Sequence, residues 1–109
     1  MTVFDAAGQF VYDARLGIPI PRLTKDWDEF TRSEQAAILM YWEEVCGAIP
    51  DRIFAFEREI GELQRRMNEE EDFGRVIAIN WDIAELASRI NDLNIYFRLN
   101  RDTAVRAHQ

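Results

Sequence analysis

Between residues 76 and 97 the apolar positions follow a strict rhythm. Val76, Ile79, Ile83, Leu86, Ile90, Leu93 and Phe97 recur at alternating steps of three and four. A 3.5-residue period puts these side chains on one seam of a helix, as in coiled-coil-like packing. Ile53, Phe56, Ile60, Leu63 and Met67 repeat the same rhythm earlier in the chain. The two seams pair as an antiparallel helical hairpin over about residues 50–99. Met67 faces Val76, Leu63 faces Ile79, Ile60 faces Ile83, Phe56 faces Leu86 and Ile53 faces Ile90. The numbers in each pair add to 142 or 143, so one register serves both helices. Leu93 and Phe97 extend past Ile53 and require cover from elsewhere in the chain.

The polar run Asn68-Glu69-Glu70-Glu71-Asp72 breaks the rhythm and predicts a tight turn, with Asp72 as a cap for the helix at 73–99. The helix before it spans 50–70, with Pro50 suited to its first turn. A further helix is predicted at 31–46, where Thr31 and Glu34 have capping-box spacing. Ile38, Trp42 and Val45 line its inner face. Gly47 reads as its stop, a kinked continuous helix being the alternative.

The first 25 residues follow a different pattern. Val3-Phe4 and Gln9-Phe10-Val11-Tyr12 flank Asp5-Ala6-Ala7-Gly8, which predicts a β-hairpin over residues 2–12. Leu16-Gly17-Ile18-Pro19-Ile20-Pro21 cannot be helical and predicts an extended, proline-rich strap lying across the helices. Residues 100–109 are polar and predict a frayed tail. The expected fold is therefore one mainly α domain over 1–109: a three-helix layer built on the hairpin, with the short N-terminal β-hairpin and strap docked on it.

The third helix carries more apolar residues than its seam uses. Ile77, Ala84, Ala87 and Ile95 flank the seam, and Trp81 and Tyr96 lie further round. A helix apolar on several stripes is either central or meets a second partner. Asn80, Asn91 and Asn94 are poor helix formers beside the seam. They have two readings: polar links between helices that fix register or oligomeric state, or, with Ser88 and Arg89, a polar groove able to take a small ligand. The tryptophans Trp27, Trp42 and Trp81 are expected in the core; an exposed Trp81 would instead mark an interface anchor. The expected interaction surface is Trp81, Asn80, Ser88, Arg89, Asn91, Asn94 and Ile95.

Composition narrows the chemistry. The chain has 109 residues, a net charge of -7, one cysteine and one histidine. That size suits one domain. The negative balance argues against an electrostatic grip on nucleic acid or a membrane surface, although twelve of the thirteen basic residues are arginine. A single cysteine excludes an internal disulfide framework, and a single histidine excludes a multi-histidine metal site. Cys46, beside a helix end, reads as a small buried hydrophobe, and His108 as solvent-exposed. Arg58–Glu62 and Glu62–Arg66 have the spacing of surface ion pairs. The N-terminus, MTVFDAAGQF, lacks a basic segment followed by an apolar one, so no secretory leader is expected and the protein is read as cytoplasmic.

Two carboxylate groupings offer metal chemistry. Glu69 to Asp72 lacks the alternating ligands and central glycine of a calcium loop and reads as a solvated turn. All-α nucleotide pyrophosphohydrolases hold Mg²⁺ with paired and spaced glutamates followed by Glu-x-x-Asp. Here Asp82 and Glu85 stand in reversed order, and Glu43-Glu44 is followed by Val45-Cys46-Gly47 without the further glutamate. A Mg²⁺-dependent phosphohydrolase built on carboxylates between helices is thus the alternative function. No cofactor or catalytic set is expected, and the leading reading is a small interaction or regulatory protein that forms a homodimer.

Three stretches together, Ile49-Pro50-Asp51-Arg52-Ile53, Asn68-Glu69-Glu70-Glu71-Asp72-Phe73 and Glu85-Leu86-Ala87-Ser88-Arg89-Ile90-Asn91-Asp92-Leu93-Asn94, resemble small uncharacterised proteins of Bacillus-type bacteria over roughly residues 30–100. The resemblance implies a bacterial, cytoplasmic, stand-alone protein and carries over no activity or site residue.

Overall fold

The computed structural model describes residues 3–107, with side chains described through residue 100. Two short strands, β1 (Phe10–Asp13) and β2 (Ile18–Pro21), precede three helices: α1 (Arg32–Gly47), α2 (Ile49–Glu69) and α3 (Phe73–Ala107). Helix dominates, as the heptad-like seams predict.

The N-terminal hairpin lies later in the chain than the sequence pattern indicated. Asp5 does open a turn, since its Oδ1 accepts from the Ala7 amide at 3.2 Å. That turn begins a 3-10 helix, Ala6–Gln9, and not a strand reversal. The reversal comes at residues 14–17, again opened by an aspartate and closed by a glycine. Asp13 Oδ1 accepts from the Leu16 amide at 2.9 Å, and Gly17 adopts φ 77°, which favours glycine. The proline strap is thus the second strand of the sheet: Phe10 pairs with Pro21 and Asp13 with Ile18, antiparallel. Prolines two residues apart share one phase of a strand. Both missing donors face away from β1, which is how a proline is tolerated at a sheet edge.

The helix ends follow their local chemistry. Thr31 and Glu34 close a full capping box, with the Glu34 amide donating to Thr31 Oγ1 at 3.1 Å and the Thr31 amide to Glu34 Oε1 at 2.9 Å. Gly47 does not stop α1 with a left-handed turn. Only Ala48 interrupts the helical run before Ile49, at φ -87° and ψ -9°, so α1 and α2 form one long bent helix around Pro50. Asp72 caps α3 as expected, accepting from the Arg75 amide at 3.0 Å. The backbone of α3 continues to Ala107, so residues 100–107 are helical, not frayed. His108 lies outside the described residues.

The core sits where the bent helix, α3 and the β-hairpin meet. Ile49 and Leu93 are fully buried, and Cys46, Leu16 and Ile18 nearly so. Leu93 and Phe97, which overshoot the helical hairpin, are covered by α1 and the sheet: Trp42 meets Tyr96 edge-on at 5.7 Å and stacks on Phe10 at 6.0 Å. Beyond this core α2 and α3 continue as a two-helix arm. Their direction is antiparallel, because the Arg89 guanidinium lies over Phe56 while Asp82 lines a depression with Leu63. Arg58–Glu62 and Glu62–Arg66 do not close as ion pairs among the described residues; Arg75 approaches Glu70 at 4.0 Å instead.

Candidate functional site

The functional candidates converge on α3, which has three distinct sectors. Its seam residues face α2 and the core. A second stripe, Phe73, Ile77, Trp81, Ala84, Ser88, Asn91 and Ile95, lies roughly 150° round the helix from the seam. Every member of that stripe is exposed, with Trp81 at 70%, Phe73 at 77% and Ile77 at 44%. Trp81 is therefore not a core residue, whereas Trp42 is buried and Trp27 half-buried. The seam uses only one side of α3, and among the described residues the one side chain seen to hydrogen-bond this stripe from outside α3 is Arg15, at Ser88.

The third sector carries charge. From Phe73 to Phe97 the charged residues are Arg75, Asp82, Glu85, Arg89 and Asp92, all on the flank between seam and stripe. The opposite flank holds Asn80, Ala87 and Asn94, all exposed. The outer face of α3 is thus free of charge for seven turns in a chain that is 30% charged. Depletion of charge around exposed aromatic and aliphatic side chains is the compositional signature of an interface core.

The charged flank is organised by Arg15, from the turn between β1 and β2. Its guanidinium donates to Asp92 Oδ2 at 2.6 Å, Ser88 Oγ at 2.8 Å and Glu85 Oε1 at 3.0 Å. Arg89 adds a second donor to Glu85 Oε1 at 3.3 Å. The side-chain hydrogen bonds from Arg15 and Arg89 hold the Glu85 carboxyl below its ordinary range. The bonds to Asp92 and Glu85 in turn raise the Arg15 pKa. On the other side of the same turn, Arg52 donates to the Leu16 carbonyl at 3.2 Å and lies 4.8 Å over the Phe56 ring. The turn is therefore clipped to α2 and α3 together.

This arrangement separates residues that the sequence grouped. Trp81, Ser88, Asn91 and Ile95 share the exposed stripe, and Asn80 and Asn94 border it. Arg89 does not join them: it turns towards Glu85 and Phe56, on the flank away from Asn91 and Asn94. The asparagines make no hydrogen bond to another helix among the described residues. Phe73 and Arg15 are the residues that sequence reasoning missed. Phe73 was legible from its four-residue step to Ile77. Arg15 was not, since Glu85, Ser88 and Asp92 share a face at ordinary helical spacing and only the tertiary path brings a cation to them.

Among the described residues the carboxylates are not grouped as a metal ion would need. Glu59, Asp82 and Glu85 line an open depression of about 270 Å³ with Arg89, Leu63 and Leu86. Glu85 is already occupied by two guanidinium groups, and no cluster of three or more histidine, cysteine, aspartate or glutamate side chains is placed to hold an ion among the described residues. Glu43 and Glu44 stand on the exposed side of α1. A second depression, of about 290 Å³, lies beside Arg15, Asp92, Ile95 and Tyr96 and is likewise walled by groups already paired. Cys46 is buried, and that burial pushes its thiol up to about 12, the reverse of what a nucleophilic thiol needs. Among the described residues no helix is long and apolar enough to cross a membrane.

No protein-family model, curated protein or solved structure matches the chain.

Proposed function

We propose that the protein works by protein–protein interaction, presenting the outer face of α3, and that it self-associates as a homodimer. The observation that carries this reading is Trp81: a tryptophan 70% exposed within a stripe to which α3 contributes no charged residue. Scattered exposed hydrophobic residues are ordinary, but a contiguous, charge-free row is not. In this reading α1, α2 and α3 act as one helical layer whose role is to hold that row straight. A small cytoplasmic adaptor or regulatory subunit has this form, and the paired carboxylates of the α3 flank give the phosphohydrolase alternative no support.

Trp81 also supplies the test. Trp42 is buried and Trp27 half-buried, so subtracting the emission of a Trp81→Phe chain from that of the native chain isolates Trp81. On concentrating the protein, the Trp81 emission shifts to the blue and its acrylamide quenching falls. Emission and quenching that stay those of a solvated indole up to high concentration contradict self-association through this face.

A further inference from the structure

The exposed stripe of α3 reads the same from both ends. Its spacing from Phe73 runs 4, 4, 3, 4, 3, 4 to Ile95, and a last step of four reaches Leu99, which is 54% exposed. Phe73 with Leu99, Ile77 with Ile95, Trp81 with Asn91 and Ala84 with Ser88 all have numbers adding to 172. A row with this symmetry matches a reversed copy of itself. Bulk is distributed to suit: Ala84, Ala87 and Ser88 are small at the middle, and the large side chains stand towards the ends.

We infer that two copies of this chain pack α3 against α3 in antiparallel fashion, with a two-fold axis at the level of Leu86, between Ala84 and Ser88. This rests on the self-association reading above and adds its geometry. A two-fold contact is isologous, so the same patch must complement itself. In this register Ile77 meets Ile95 of the second copy, Phe73 meets Leu99, and the Trp81 indole lies over Asn91 beside the small residues at the crossing. A parallel arrangement would set Trp81 on Trp81 and leave a gap at the alanines.

Charge and area agree with a second copy as the occupant. Two-fold packing brings equivalent flanks together, and on the flank nearest the axis the carboxylates are Glu85 and Asp92. Arg15 pairs with both, at 3.0 and 2.6 Å, and Arg89 adds a second cation at Glu85, so two cations balance the two carboxylates. On the opposite flank Asn80 stands about two residues' rise, ~3 Å along the axis, from the level of Asn94 of the second copy, where two amides can pair. At the ends, the exposed Arg98 comes level with Gly74 of the second copy, beside the acidic Glu71 and Asp72. The chain exposes 8067 Å², where a compact monomer of 12.8 kDa exposes about 6,300 Å². That excess belongs to the elongated chain as a whole, which has surface to spare for the about 800 Å² per partner of a standard stable interface.

Single cysteines placed on the exposed stripe of the full chain test the register, with a short bismaleimide as the cross-linker. Native Cys46 is buried and gives the unlinked baseline. Ser88→Cys is expected to cross-link to itself, since the two sites stand about four residues' rise, ~6 Å, apart along the axis. Ile95→Cys alone is expected not to, its copies standing ~27 Å apart. A mixture of Ile77→Cys and Ile95→Cys chains is expected to yield the heterodimeric product. Self-linking of Ile95→Cys would mean parallel packing and overturn the inference. A dimer by mass with no cross-link at any of these sites would place the interface on another face, overturning both the register and the use of α3. A native chain that stays monomeric by mass removes self-association itself, and the register with it.

Discussion

At the scale of single residues, Arg15 shows how a side chain invisible to pattern reading shapes the surface. It satisfies three acceptors on α3, the carboxylates of Glu85 and Asp92 and the Ser88 hydroxyl. Replacing it by alanine is expected to lower the melting temperature by a few degrees, because charge-assisted hydrogen bonds between exposed groups are individually modest. The pH dependence identifies the cause. The folded Glu85 carboxyl titrates below its ordinary value near 4.5, so its pairing stabilises the fold at neutral pH. That stability is lost as pH falls from the ordinary carboxylate range through the lower folded value. Thermal melts from pH 7 to 3 are expected to show the difference between native and Arg15→Ala shrinking on acidification. A constant difference would show that Arg15 acts through packing alone. Cys46 behaves oppositely, its thiol raised from 9.0 to about 12 by burial. Its neutral form contributes stability that declines as pH rises between those values. At pH 8 the native thiol is expected to resist an aromatic disulfide reagent that modifies it rapidly in denaturant.

At the scale of elements, the strongest local signals were legible and the long-range ones were not. The capping box at Thr31 and the cap at Asp72 need only three or four neighbouring residues, and both formed as the sequence indicates. α2 packs against α3, the pairing that the two seams predict. The hairpin was misplaced because the chain contains two aspartate-to-glycine turns in succession. Local chemistry cannot rank them. Burial can: using Gly17 leaves Leu16 and Ile18 at 2% exposure beneath the sheet. The same turn requires glycine, because Gly17 sits at a φ of 77°, where an L side chain is strained, and a Cβ there would also stand 2.5 Å from the flexible end of Arg52 and displace it. Gly17→Ala is therefore expected to destabilise the fold by about 1–2 kcal/mol in chemical denaturation. Leu93→Ala, which opens a cavity where α3 meets the core, is expected to cost about 2–5 kcal/mol. The exposed row of α3 is half legible in the sequence: the surplus apolar residues of the third helix are evident, but their assembly into one straight row needs the exposed side of α3.

At the scale of the whole molecule, shape explains why a face is left over. The radius of gyration is 18.5 Å, against about 13 Å for a compact domain of this length. The molecule measures 62 × 31 × 19 Å, and much of the long dimension is α3 with α2 alongside it. A two-helix arm buries one seam and has no third layer for the other stripe. Its net charge of -7 makes two copies repel at long range, while the proposed contact row draws no charged residue from α3. Association is therefore expected to strengthen when salt screens that repulsion, the reverse of what an interface held by ion pairs would show.

The central claim is that the Trp81 face of α3 joins two chains, and molar mass by light scattering over a concentration series tests it most directly. The native chain is expected to rise towards twice 12.8 kDa. A Trp81→Lys chain, with the same circular dichroism and melting temperature at low concentration, is expected to need at least about 30-fold higher concentration to do so, the cost of losing an anchor worth 2 kcal/mol or more. A native chain that remains at the monomer mass throughout, or a Trp81→Lys chain that dimerises as the native one does, contradicts the account.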